Sequence, residues 1–240
     1  MVNQNKDSII PSDKWIFNQE VTTVFDDMLE RSIPDYINMR TLVNDLTLKY
    51  LQNRSSVLDL GCSTGGAIKD IIASVQPEVV FIGVEISEPM REQAKKNLQK
   101  FIETKQVKII NCDLREDFPI SSNSVVLSIL TIQFIPIEHR QKIISNIYES
   151  LLSGGVFIFV EKILGNDSIG NSMLEDLYYK LKGENGYTEE QIRSKRKSLE
   201  GILVPVTSDW NMEMMSKAGF SNIQQFWQQL NFAGWVGFKK

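Results

Sequence analysis

Three acids stand at matched positions along the chain: Asp59 in "VLDLGCSTGG" (57–66), Glu85 closing "VVFIGVE" (79–85), and Asp113 in "NCDLRE" (111–116). Each ends a short apolar run, and two glycines, Gly61 and Gly65, follow the first. A carboxylate at the second position can accept hydrogen bonds from both hydroxyls of a ribose. One at the third can meet the exocyclic amino group of an adenine. Each feature also has a plainer reading, a loop acid at the surface or a tight strand-to-helix turn, but three acids at three successive strand ends suit a nucleoside. The turn Gly61-Cys62-Ser63-Thr64-Gly65 beside Asp59 separates two classes of nucleoside ligand. A pyrophosphate prefers G-x-G-x-x-G with no acid adjacent. An acidic turn instead suits an adenosine that carries a sulfonium and an amino group, which describes S-adenosylmethionine.

The elements that must hold these residues follow from the hydrophobic pattern. Short β-branched runs alternate with helical periodicity from residue 55 onward. "SSVLDLG", "VVFIGVE", "VKIINCD", "SVVLSILTIQF" and "VFIFVEK" read as five strands, apolar throughout, so both sheet faces are covered. Between them, Ile68, Ile71, Ile72 and Val75 mark one helix. Met90, Ala94, Leu98 and Phe101 mark another, with Ser87 as its N-cap and Pro89 in its first turn. Ile143, Ile144, Ile147 and Leu151 mark a third, which Gly154 and Gly155 are expected to terminate. "NIQQFWQQ" and "FAGWVGFKK" close the chain as an antiparallel hairpin at the sheet edge. The expected fold is α/β, doubly wound and Rossmann-like, with a mostly parallel seven-stranded sheet. One domain is expected over 1–240: a helical cap at 15–52 broken at Pro34, a ligand-binding core at 55–164, an inserted helical segment at 165–205, and a helix and hairpin at 206–240.

Composition narrows the function. Hydrophobic residues make up 42% and charged residues 23% of 240, as in ordinary globular proteins. A net charge of −4 does not favour a phosphate backbone, so no direct nucleic-acid binding is expected. "MVNQNKDSII" lacks a secretory signal and no run is long enough to span a bilayer, so a cytoplasmic protein without membrane contact is expected. Two cysteines and one histidine, His139, give little material for a metal site or a Ser-His-Asp triad, and no metal is expected. "RSKRKSLE" (193–200) concentrates cations; such a run is usually a solvated helix face. Trp15, Phe17 and Phe25 read more readily as packing than as a lid.

With these motifs in place the chain resembles the class I S-adenosylmethionine-dependent methyltransferases. More closely it is similar to the carboxy-S-adenosyl-L-methionine synthases, from "DKWIFNQEVTTVFDDMLERSIPDY" through "LTIQFIPIEHRQKIISNIYESLLSGG", "EK" and "NGYTEEQIRSKRKSLEG" to "KAGFSNIQQFWQQLNFAGWVGFK". The resemblance implies conversion of S-adenosyl-L-methionine and prephenate to carboxy-S-adenosyl-L-methionine and phenylpyruvate. It implies supply of carboxymethyl groups to tRNA wobble uridine or a related pathway, and a homodimer. It places the reaction at Arg196 and Tyr36: Tyr36 at the sulfonium end and Arg196 on the new carboxylate, a bidentate role that no methyl group needs. Gly61, Cys62 and Ser63 would line the amino-acid end, Glu85 would hold the ribose, Ile86 would lie beside the adenine, and Asp113 and Leu114 would meet the base. The chain departs from the family pattern at Ile129 and Ile86, where Asn is usual, and at Glu85, where Asp is usual. Two other readings stay open: a conventional methyltransferase acting on a small molecule or tRNA, and a non-catalytic binder of S-adenosylmethionine.

Overall fold

The computed structural model describes residues 6–75, 78–119 and 121–240. Residues 1–5 of the polar opening stretch lie outside that range. Seven strands pair in the order β3-β2-β1-β4-β5-β8-β7. They are β1 (Ser56–Leu60), β2 (Val80–Val84), β3 (Val107–Ile110), β4 (Asn123–Ile129), β5 (Leu151–Leu164), β7 (Ser221–Gln229) and β8 (Phe232–Phe238). The first five run parallel; β8 lies antiparallel to β5, and β7 antiparallel to β8 at the edge. A two-residue β6 (Val206–Thr207) pairs with β5 alone.

Helices cover the sheet because its strands are apolar on both faces. One core gathers Val57, Ile68, Phe81, Val125 and Ile158 under α3 (Tyr36–Tyr50) and α4 (Gly66–Ile72). The other gathers Leu58, Val126, Ile144, Phe157 and Trp235 under α7 (Ile137–Ser150) and α10 (Ser208–Ala218). The N-terminal helices α1 (Gln19–Thr23) and α2 (Phe25–Ser32) precede α3, with the expected break at Pro34. Ser87 caps α5 (Glu88–Asn97) by accepting from the Met90 N–H. The chain from β1 moves outward to β2 and β3 and then returns to β4, so the strand order reverses between β1 and β4. That is the position at which open α/β sheets take ligands.

Three local expectations are corrected. "SVVLSILTIQF" is not one strand: β4 stops at Ile129, Leu130 turns left-handed at φ 59°, and Ile132–Phe134 form a 3₁₀ turn. Buried Glu161 imposes this, accepting the N–H groups of Thr131 and Ile132 on one oxygen. Gly154 and Gly155 do not end α7, which stops at Ser150 with Leu151 already extended. They lie within β5, where Gly154 has φ 75° and a side chain on Gly155 would meet the backbone oxygens of Leu152 and Ser124. The helix carrying Met90 and Ala94 breaks at Leu98, and Phe101 belongs to a separate α6 (Gln99–Glu103).

Candidate active site

The loops beyond β1, β2, β3 and β4, together with the end of β5, wall a cavity of about 730 Å³. The inserted helices α8 (Ser168–Glu184) and α9 (Glu189–Leu199) and the N-terminal segment close its other side. Asp59, Gly61, Cys62, Ser63, Glu85, Ile86, Asp113, Leu114, Ile129, Tyr36 and Arg196 all line it. Gly65 does not; it caps α4 in a left-handed conformation, and a side chain there would strike Leu98 at 2.7 Å.

The glycine turn is shaped by its neighbours. Gly61 has φ 69°, and a Cβ on it would fall 2.5 Å from Thr131, whose hydroxyl donates to the Leu60 carbonyl at 2.8 Å. Any larger residue would strain the backbone and displace the β4 loop. Ser63, also left-handed at φ 50°, donates its backbone N–H to Glu85 at 2.9 Å, and Ser87 donates to the other Glu85 oxygen at 2.8 Å. Burial raises the Glu85 carboxyl, against the pull of these N–H groups. Each oxygen keeps a lone pair for a further donor.

Asp59 carries the sharpest electrostatic signal. It is buried, its Oδ2 has no hydrogen-bond partner, and burial pushes its pKa up to about 7, opposed by Arg40 and reinforced by Glu85. Arg40 donates to the Tyr36 hydroxyl at 3.0 Å and to Asp70 at 2.7 Å, while its buried Nε lacks an acceptor. Burial also raises the Tyr36 phenol, which stays protonated near neutral pH. An orphaned acceptor and an orphaned donor on one cavity wall fit the two charges of an amino-acid zwitterion. Asp113 differs: Arg115 grips its carboxylate and holds it below the usual range.

Arg196 lines the cavity from α9. Its side chain is 57% exposed, and its guanidinium lies 3.6 Å from Glu175 and sits over the Tyr179 ring at 5.4 Å. That contact is too long for a hydrogen bond, so the planar fork is held in place without being consumed. The cationic run around it is not a solvated face throughout: Lys195 is buried and ion-paired with Asp7. Trp15, Phe17 and Phe25 are both packing and wall; Phe17 meets the other two and Phe134 edge-on, and all four rings line the cavity. Sequence reading missed Arg40, Arg115, Lys162, Glu175 and Lys182. Arg40 had a signal, one helical turn after Tyr36; Glu175 and Lys182 had none.

Among the described residues no His, Cys, Asp or Glu group could hold a metal ion, and no helix is long and apolar enough to cross a membrane. The family description "Methyltransferase domain" matches residues 57–155. Among solved structures, an O-methyltransferase family protein from Burkholderia thailandensis has a TM-score of 0.65 at 14% identity, covering 93% of this chain and 61% of that one. Human N-acetylserotonin methyltransferase, solved with S-adenosylmethionine, has a TM-score of 0.60 at 17% identity, covering 92% and 55%. The chain thus spans less than two thirds of those proteins, and the likeness defines its class: the fold is that of the S-adenosylmethionine-dependent methyltransferases.

Sequence relatives are more particular. Carboxy-S-adenosyl-L-methionine synthase from Methylococcus capsulatus is 33% identical over 228 residues, spanning 95% of this chain and 94% of its own. The synthase from Nautilia profundicola is 36% identical over 223 residues, spanning 93% and 94%. The chain belongs to the carboxy-S-adenosyl-L-methionine synthase family.

Proposed function

We propose that this protein converts S-adenosyl-L-methionine to carboxy-S-adenosyl-L-methionine, with prephenate as carboxyl donor. The observation that carries the reading is Arg196, a guanidinium facing the same cavity as the acidic nucleoside end and not locked into a hydrogen-bonded pair. A methyl group calls for no such cation, whereas a carboxylate does. Glu85 is offered for the ribose, Ile86 and Leu114 for the faces of the base, and Asp113 for its amino group, shared with Arg115. Asp59 and Arg40 suit the ammonium and carboxylate of the methionine portion, against the backbone of Gly61, Cys62 and Ser63. Tyr36 stands at the sulfonium. Ile129 lines the wall with an apolar surface where the family commonly has Asn.

The chemistry balances without a protein base. The donor loses its ring carboxylate as carbon dioxide and its ring hydroxyl as hydroxide, becoming phenylpyruvate. The hydroxide takes a proton from the sulfonium methyl and departs as water, and the methylene carbon bonds to carbon dioxide. The protein's part is to hold the two substrates together, keep bulk water out, and receive the new carboxylate on Arg196. The reading extends to a single-domain homodimer in the cytoplasm that supplies carboxymethyl groups for tRNA wobble uridine without binding the tRNA itself.

The test is mass spectrometry of the released small molecule after incubation with S-adenosylmethionine and prephenate. A species heavier by one carboxylate, formed only with prephenate, is expected, and Arg196→Gln should lower retention of that product at least tenfold while S-adenosylmethionine binding changes little. A demethylated product with no prephenate dependence would turn the assignment to a conventional methyltransferase.

A further inference from the structure

Two lysines that line the cavity form no ion pair among the described residues. Lys162 projects from the end of β5 and Lys182 from the last turn of α8, and both line the cavity. Their ammonium groups lie 4.6 and 5.5 Å from the centroid of the same ring, Tyr178. Lys182 is only 6% exposed and also lies 5.1 Å from the Tyr187 ring. Neither ammonium makes a hydrogen bond or ion pair among the described residues, although both can donate three hydrogen bonds.

The neighbouring charges leave these two unmatched. On α9, Lys195 is paired with Asp7 and Arg196 with Glu175; on α2, Arg31 is paired with Asp27 at 3.0 Å. Among the described residues Lys162 and Lys182 are in no ion pair: Glu175 and Arg196 act on the first from a distance, and Lys195, Lys162, Asp7 and Arg31 on the second, so the cations here outnumber the carboxylates. A half-buried and a buried cation side by side, held by aromatic faces, are costly to the fold unless something anionic arrives.

We propose that Lys162 and Lys182 form a second anion-binding pole in the cavity, which takes the carboxylates of a dicarboxylate donor while Arg196 takes the carboxylate that is made. This rests on the functional reading above and assigns the donor's seat within it. Two unmatched positive charges equal the charge of a dicarboxylate such as prephenate. The seat lies on β5 and α8, away from Asp59, Glu85 and Asp113, so donor and nucleoside do not compete for the same groups. Lys162 is also positioned: Gln133 accepts its backbone N–H at 2.8 Å, next to the Glu161-capped turn that ends β4. Burial lowers Lys162 to about 8 and Lys182 to about 7, in the latter with help from the cations around it. Above those values binding of a dianion requires the lysines to take up protons from solvent, so donor affinity should fall as pH rises from about 7 through 8 and beyond.

The experiment measures prephenate binding calorimetrically to protein preloaded with S-adenosylhomocysteine, for the unsubstituted chain and for Lys162→Met and Lys182→Met. Methionine keeps the apolar stem and removes a buried charge, so neither variant should lose its fold. The expected result is a tenfold or greater loss of prephenate affinity in each, unchanged S-adenosylhomocysteine affinity, and a flatter dependence on pH between 7 and 9. Unchanged prephenate affinity and pH profile in both variants would overturn the seat, as would absence of prephenate binding to the unsubstituted protein. If that protein binds prephenate in a lysine-dependent way but yields no carboxylated product with S-adenosylmethionine, the functional reading fails and the seat stands.

Discussion

Asp59 is a buried carboxyl whose proposed role in binding would come at the expense of stability. Its pKa of about 7 in the fold lies above the 3.8 of the unfolded chain, so the native state holds a proton that the unfolded state lacks between those values. The stabilisation is full below about pH 4 and is lost as pH rises through 7. A cationic ligand prefers the ionised form, so affinity runs the other way. S-adenosylmethionine affinity should improve up to tenfold per pH unit between 5 and 7 and then level off. Asp59→Asn should remove that slope, weaken binding at pH 8 at least tenfold, and raise Tm at pH 8 relative to the parent by about 2–4 °C for each kcal/mol recovered. Titration calorimetry and melting curves at pH 5 and 8 check both signs. Asp59, Glu85 and Asp113 were legible in the sequence because a strand end is a fixed place in this fold. Their partners were not: that Arg115 grips Asp113, or that Arg40 reaches toward Asp59, depends on side-chain directions that spacing along the chain does not specify.

At the scale of elements, the parallel strands and their helices were legible because each is an unbroken apolar run or a helical stripe. The end of β4 was not, because it is set from a distance: Glu161 on β5 captures the N–H groups that would otherwise continue the strand. In the run at 193–197, Arg193, Arg196 and Lys197 are exposed as a solvated face would be, but Lys195 is not, for the same reason: its buried partner is Asp7, 188 residues away. That contact is a strap. Asp7 receives Lys195 and the Tyr187 hydroxyl on its carboxylate, and its carbonyl accepts from Arg31 at 2.9 Å, tying the N-terminal segment to α2 and α9. Burial raises the Asp7 carboxyl, but the Lys195 and Tyr187 hydrogen bonds and the Lys195 charge outweigh it and bring the pKa below 3.8. Its stabilising effect is therefore present at neutral pH and lost only as pH falls below that value. Asp7→Ala would leave Lys195 buried without its partner, a loss of about 3–5 kcal/mol. Melting should show a drop of about 6–20 °C at pH 7 that shrinks at pH 3. A fall of less than 2 °C at pH 7 would mean that the strap contributes little.

For the whole molecule, the two faces of α8 would connect the proposed dimer to the cavity. Glu175, Tyr178, Tyr179 and Lys182 line the cavity, while Ile169, Met173 and Leu177, spaced four residues apart on the opposite face, are 82%, 55% and 44% exposed. An apolar stripe of this kind on a charged surface is a place for a partner, and a second copy of the chain is the occupant proposed with the function. Three side chains make only part of the roughly 800 Å² per partner that a standard interface buries, so the stripe would form the centre of a wider patch. A partner seated there would brace α8 from behind and so steady Lys182 and the Glu175 that faces Arg196. The nucleoside end hangs on the loops after β1, β2 and β3, which α8 does not carry. Met173→Lys should therefore bring the mass in light scattering from twice 27.4 kDa to 27.4 kDa. It should raise the donor KM severalfold while leaving the affinity for S-adenosylmethionine unchanged. A parent protein that is already monomeric, or a variant that stays dimeric, would place the interface elsewhere. A monomeric variant with an unchanged donor KM would show that α8 needs no support from a partner to hold its side of the cavity.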